Sequence, residues 1–214
     1  MIFGKIEYLN LLPFHVYMKR FAKGSQAKQI MQYYKSVPST INKKFISRDV
    51  DAAFISSIKA KKYKYVNLGI IAKKEVLSVL VIPNTEYKID TESATSNVLS
   101  KVLNIKGEVI IGDKALRYYL DSNPAIDLAK AWNDKYKLPF VFALLCFHKD
   151  KVIYKKIEKD FLKQKVKIPQ YLLRQASIKT KVSKKDILNY LSYISYELDY
   201  KAKKGLNLFY KLNK

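Results

Sequence analysis

Small polar residues at the points where strands turn into helices carry the chemical potential of this sequence. They are Asn10, the pair Ser56 and Ser57, Ser78, Thr95 with Ser96, and Gly112 with Asp113. A helix N-terminus offers backbone N–H groups without intrahelical partners and the positive end of the helix dipole, so it favours a carboxylate. Residues of this kind bind and orient an anion. Each also has a purely structural use, since Ser and Thr cap helices and Asp113 can cap the helix it opens. Convergence of several junctions on one crevice would separate the two uses.

Other chemistry lacks its residues. His15 and His148 stand far apart, with no Cys or carboxylate at ligand spacing, so no metal site is expected. There is no dinucleotide-binding glycine fingerprint, no P-loop and no nucleophile elbow, so no cofactor is expected either.

Two stretches must position the polar residues. Gly107–Leu116 reads as a buried strand that ends in Gly-Asp and turns into a helix. Asp127–Ala143 reads as a helix, a break at Pro139 and a second buried strand. Strand ends of this kind line the ligand crevice of open α/β folds. Upstream, Ile2–Tyr8 alternates as a strand, and Leu9–Phe14 breaks it and opens a helix. Ser39 is a candidate cap for a helix to Phe45, Ala52–Ile55 is a strand, and Ser56-Ser57 caps the next helix. Val66–Ile71 and Val76–Ile82 are further strands, the second with Ser78 as its one polar residue. Thr91 and Ser93 are candidate caps for a helix with Val98, Leu99, Val102 and Leu103 inward.

Everything after Lys149 reads as helix, including one capped by Ser183 that runs past Ile194 and Leu198 and stops at Gly205, and a last one over Leu206–Leu212. Alternating strands and helices followed by helices indicate an α/β fold. The long apolar strands Val76–Ile82 and Phe140–Phe147 would act as crossovers between two lobes. One lobe comprises residues 1–79 and 149–214, and the other residues 80–148.

A chain of 214 residues with 49% hydrophobic residues can bury the core of one domain or two small lobes. No apolar run of about 18 residues is present, so no membrane span is expected. The N-terminus lacks the pattern of a secretory signal, and the single cysteine, Cys146, lies in an apolar run as a small core residue; both fit a cytoplasmic location. The net charge of +23 raises the question of nucleic acid. Against it, lysines are spread along the chain, arginine is confined to Arg20, Arg48, Arg117 and Arg174, and no nucleic-acid-binding motif is visible. The expectation is a solvated lysine surface that draws in a small anionic substrate, with neither nucleic acid nor membrane as partner.

Taken in order, the segments resemble the MqnA/MqnD family of menaquinone-biosynthesis enzymes of the futalosine pathway. The carrying pieces are Tyr8-Leu9-Asn10-x-Leu12-Pro13-Phe14, Asp51-Ala-Ala-Phe-Ile-Ser56-Ser57, Val76-Leu77-Ser78-Val79 and Thr91-x-Ser93-x-Thr95-Ser96. Ile111-Gly112-Asp113-x-Ala115-Leu116 and Asp127-Leu128…Trp132…Leu138-Pro139-Phe140-Val141-Phe142-Ala143 complete them. The sister enzyme forming 1,4-dihydroxy-6-naphthoate typically carries His-Glu where this chain has Gly112-Asp113, so the resemblance favours the chorismate dehydratase branch.

That resemblance implies a two-lobed, periplasmic-binding-protein-like (type II) fold. The middle lobe would be shortened, because Val102–Gly107 runs almost directly into the Gly-Asp strand, and Tyr136-Lys137 replaces a usual Thr-Gly. It implies a lyase acting on chorismate, with Asn10, Ser78 and Asp113 in the catalytic group and Ser56, Ser57, Thr95, Ser96 and Gly112 holding substrate. The proton-abstracting base is either Asp113 or the substrate's own enolpyruvyl carboxylate. The competing expectations are the sister 1,4-dihydroxy-6-naphthoate synthase and a non-catalytic anion-binding protein of the same fold.

Overall fold

The computed structural model describes residues 2–23 and 32–213. The chain opens with β1 (Ile2–Lys5), a 3-10 turn (Leu9–Leu11) and α1 (Leu12–Lys23), then β2 (Gln32–Lys35) and α2 (Pro38–Ile46). β3 (Ala52–Ser56), α3 (Ser57–Ala60) and β4 (Lys64–Ala72) come next. The middle holds β5 (Val79–Pro83), β6 (Tyr87–Lys88), α4 (Ala94–Leu103), β7 (Gly107–Ile111), α5 (Gly112–Leu120), β8 (Ile126–Asp127) and α6 (Leu128–Tyr136). The chain ends with β9 (Phe140–Phe147), α7 (Lys151–Lys163), α8 (Gln170–Thr180), α9 (Lys184–Ser192), β10 (Ile194–Glu197) and α10 (Tyr200–Leu212).

Two sheets form. The larger has the order β10-β4-β9-β3-β1-β2 and the smaller β6-β7-β5-β8. β1 runs parallel to β2 and β3, whereas β9 runs antiparallel to both of its neighbours, β3 and β4. A strand covered on both faces reads as a continuous apolar run, and Phe-Val-Phe-Ala-Leu-Leu-Cys-Phe is one. Cys146 lies fully buried in it, opposite Ala53 on one side and Tyr65 on the other. One apolar cluster runs from Phe3, Phe14 and Phe54 through Leu68 and Leu144 to Val81, Leu116 and Trp132, so the two sheets share a core.

Several expectations are corrected. β9, expected as part of the span 80–148, hydrogen-bonds inside the large sheet with β3 and β4, whereas β5 to β8 form the small sheet. The strand expected over Val76–Ile82 starts only at Val79. Asp127 explains this, because its Oδ2 accepts the N–H groups of Val76 (2.9 Å) and Leu77 (2.7 Å), and Leu77 turns left-handed at φ 61°. Ser39 lies inside α2 behind Pro38 and does not cap it. Ile194 and Leu198 do not continue a helix, because β10 pairs antiparallel with β4. Gly205 does not stop a helix but sits within α10, where a Cβ would come within 2.1 Å of the Pro139 carbonyl oxygen. The glycine lets α10 press against the chain as it returns to the large sheet.

Candidate active site

The polar junctions meet in a cleft between the two sheets. Its walls are apolar: Ile6, Phe54, Ile70 and Phe142 face Val79 and Ile111. Asn10, Ser56, Ser78, Ser96 and Gly112 all line it. Five of the residues expected from the sequence are thus brought together. Ser57, Thr95 and Asp113 stand behind this lining.

Each side chain is held by a traceable contact. Leu9, at the head of the 3-10 turn, donates its N–H to Asp113 Oδ1 at 3.1 Å, and Tyr196 donates its hydroxyl to the Asn10 carbonyl at 2.6 Å. The turn is pinned from α5 and from β10, while the Asn10 Oδ1 is buried with no hydrogen-bond partner among the described residues. A buried acceptor left unpaired is costly, so such atoms mark places where a ligand donates. Ser78 comes directly after the left-handed Leu77; its Oγ lies 2.8 Å from the Tyr190 hydroxyl, and its carbonyl accepts the Gly112 N–H at 2.9 Å. Burial pushes the Tyr190 phenol above its usual pKa, so it stays protonated and able to donate.

Ser56 and Asn42 exchange two hydrogen bonds of 3.1 Å each, which fixes the end of β3 at the cleft floor. Ser93 caps α4 by accepting the Ser96 N–H at 3.1 Å, and its hydroxyl donates to Ser96 Oγ at 2.6 Å. Ser57 and Thr95 are buried against each other, Oγ to Oγ1 at 3.3 Å, and join α3 to α4. Their role here is to tie the two sides of the cleft together.

Asp113 points its carboxylate at the turn that carries Asn10. Burial raises its pKa above the ordinary aspartate value, against the Leu9 N–H and the charges of Lys179 and Arg117. Gly112, at φ 69°, lies under the ring of Tyr8, where a Cβ would meet ring atoms at 2.8 to 3.0 Å.

Sequence reasoning missed Glu92. It lines the cleft, and its carboxylate accepts a hydrogen bond from the Tyr8 hydroxyl. A carboxylate just before a helix cap is ordinary dipole compensation in a sequence, which hid it. Tyr190 and Tyr196 gave no local signal because they meet Ser78 and the Asn10 carbonyl from the last quarter of the chain. Among the described residues, no Lys, Arg or His lines the cleft, despite the net charge of +23. Among the same residues, no cluster of three or more His, Cys, Asp or Glu side chains could hold a metal, and no helix is long and apolar enough to cross a membrane.

The geometry gives a half-open slot with neutral donors, the Glu92 carboxylate, an unpaired acceptor at Asn10 and largely apolar walls. It suits a cyclic anion whose orientation, more than any attack by the protein, decides reactivity.

The chain is similar to known proteins in sequence and in fold. A family model described as menaquinone biosynthesis matches residues 1–108 and 103–214. A chorismate dehydratase of Campylobacter jejuni subsp. jejuni serotype O:23/36 (strain 81-176) is 48% identical over 215 residues, covering 99% of this chain and 96% of that protein. A solved protein from Archaeoglobus fulgidus superposes with a TM-score of 0.68 at 11% identity, over 99% of this chain and 95% of the other. The alkanesulfonate-binding protein SsuA of Xanthomonas axonopodis pv. citri, bound to MOPS, gives 0.62 at 10% identity, over 99% and 92%. A Candida albicans gene product with the generic periplasmic binding protein fold gives 0.56 at 13% identity, over 100% and 91%. The structural likenesses establish a periplasmic-binding-protein-like fold.

Proposed function

This chain belongs to the menaquinone-biosynthesis family, and from that membership we propose that it is a chorismate dehydratase. It removes water from chorismate to give 3-[(1-carboxyvinyl)oxy]benzoate, as a lyase of the futalosine route in the cytoplasm. The observation that carries this reading is the 48% identity to a chorismate dehydratase over 99% of the chain. The cleft chemistry agrees with it.

The reaction takes a ring proton and a hydroxyl from chorismate and leaves an aromatic ring. Aromatisation supplies the driving force, so the protein's task is orientation and proton management. The flat walls, Phe54 and Phe142 among them, receive the ring. Asn10 Oδ1, buried and unpaired, accepts a hydrogen bond from the substrate hydroxyl. Ser78, with Tyr190 behind it, donates to the departing oxygen as charge develops there. Ser56 and Ser96 donate to the carboxylates. Asp113 positions the 3-10 turn through Leu9 and stands outside the cleft lining, which favours the substrate's enolpyruvyl carboxylate as the base.

The test is to incubate the purified protein with chorismate and follow absorbance and product mass. Conversion to an aromatic product lighter by one water is expected. Tight chorismate binding without turnover would instead mark an anion receptor.

A further inference from the structure

Among the described residues, the one charged side chain lining the cleft is Glu92, and its sign is wrong for an anionic guest. Its carboxylate lies across the cleft and takes the hydrogen bond of the Tyr8 hydroxyl, on the loop after β1. Tyr8 is itself fixed, since its ring rests on Gly112. Burial and the bond to Glu92 raise its pKa, so it remains a donor. Tyr8 is therefore a rigid, cleft-facing donor already occupied by a carboxylate.

The backbone that carries Glu92 is clamped. Asp90 Oδ1 accepts the Glu92 N–H at 2.8 Å, and Asp90 N–H donates to Asn97 Oδ1 at 2.9 Å. The other Asp90 oxygen pairs with Lys114 Nζ at 2.6 Å. The loop stays in place, and Glu92 can leave Tyr8 only by rotating its half-buried side chain. Two carboxylates cannot share one phenol donor without strong repulsion.

We propose that Glu92 is a placeholder for a substrate carboxylate. It occupies the Tyr8 hydroxyl and bridges the two sides; a carboxylate of the substrate displaces it and takes that hydrogen bond. Glu92 thereby sets the affinity for the dicarboxylate and keeps weaker anions out. The inference rests on the reading of chorismate as substrate.

Because the displaced state must be populated before binding, apparent affinity is reduced by its fraction. Glu92→Ala removes the competitor. It should lower KM and the calorimetric Kd for chorismate by about tenfold, with Glu92→Gln intermediate, since an amide still accepts from Tyr8 but carries no charge. Tyr8→Phe should raise KM by about tenfold, the loss of one charge-assisted hydrogen bond. In the Tyr8→Phe background, Glu92→Ala should change KM by less than about twofold, because nothing is left to compete for.

A rise in KM on Glu92→Ala, or a loss of kcat beyond about tenfold, overturns the proposal, since Glu92 would then touch substrate or move protons. The same tightening in both backgrounds also overturns it, because Glu92 would act by charge alone. Benzoate, titrated into the same variants, keeps the two readings apart. Wild-type protein that fails to convert chorismate removes the proposed function, while the placeholder stands or falls on the benzoate affinities.

Discussion

Gly112 lies under the ring of Tyr8, so closely that a methyl group at its α-carbon would stand 2.8 Å from the phenol carbon Cζ. The contact joins the end of β7 to the loop after β1 and sets one wall of the cleft. At φ 69° the backbone there is also left-handed, which glycine adopts without penalty.

Gly112→Ala should therefore cost stability of order 1–3 kcal/mol and displace Tyr8. A shift of about 1 Å at the site should lower kcat/KM on the order of 10²-fold. Thermal unfolding and steady-state kinetics on one preparation measure both.

Asp113→Asn tests which carboxylate takes the proton. An asparagine Oδ1 can still accept the Leu9 N–H, so activity should stay within about tenfold of wild type; a true general base would lose about 10²-fold or more. Asp113→Ala releases the turn under Asn10 and should be the more damaging change. The ratio of the two variants in kcat is the deciding measurement.

Asp127 supports the chain crossing between the sheets. Its two oxygens accept four N–H groups, from Val76, Leu77, Ala129 and Lys130. Asp127→Asn turns an amide group towards two buried donors and should destabilise by about 2–4 kcal/mol. Urea unfolding should show a lower midpoint with an unchanged slope.

Glu7 links α8 to β1 by pairing with Lys179 at 2.9 Å and Lys5 at 3.3 Å. The Lys179 hydrogen bond leads in lowering its pKa from 4.5 to about 2. A depressed carboxyl stabilises the fold above its unfolded pKa and loses that contribution as pH falls through the folded value. The stability gap between wild type and Glu7→Gln should be full above about pH 4.5 and fade towards pH 2. Glu7 is more than a third exposed, so the gap should not exceed about 1 kcal/mol and should shrink at about 1 M salt.

Local pattern made much of the fold legible. The run Phe140–Phe147 names a doubly covered strand, and Ser93 and Ser183 each cap the helix that begins after them. Where pattern misled, a distant partner overrode local preference. Asp127 bends Val76–Ser78 out of the strand, β4 recruits Ile194–Glu197 as a strand, and Gly205 sits inside α10 to make room for the Pro139 carbonyl and not to end a helix. The same divide holds for the site. Asn10, Ser56, Ser78, Ser96 and Gly112 sit at junctions that any α/β crevice exposes. Glu92 and Tyr190 meet partners 84 and 112 residues away, and no period or cap encodes such a meeting.

The close approach of Gly205 to Pro139 has a consequence in time. Tyr190, Tyr196 and Tyr210 bond to Ser78, Asn10 and Ser57, and Phe209 packs on Trp132 and Phe140. All four are translated after the rest of the cleft. At ~5–20 residues per second, a nascent chain that has already exposed Asn10 and Ser78 waits several seconds for the segment that secures them. During synthesis the small sheet and strands β1, β2, β3, β4 and β9 of the large sheet can form while their apolar seam stays open, so the growing chain exposes hydrophobic surface until α10 emerges from the ribosome.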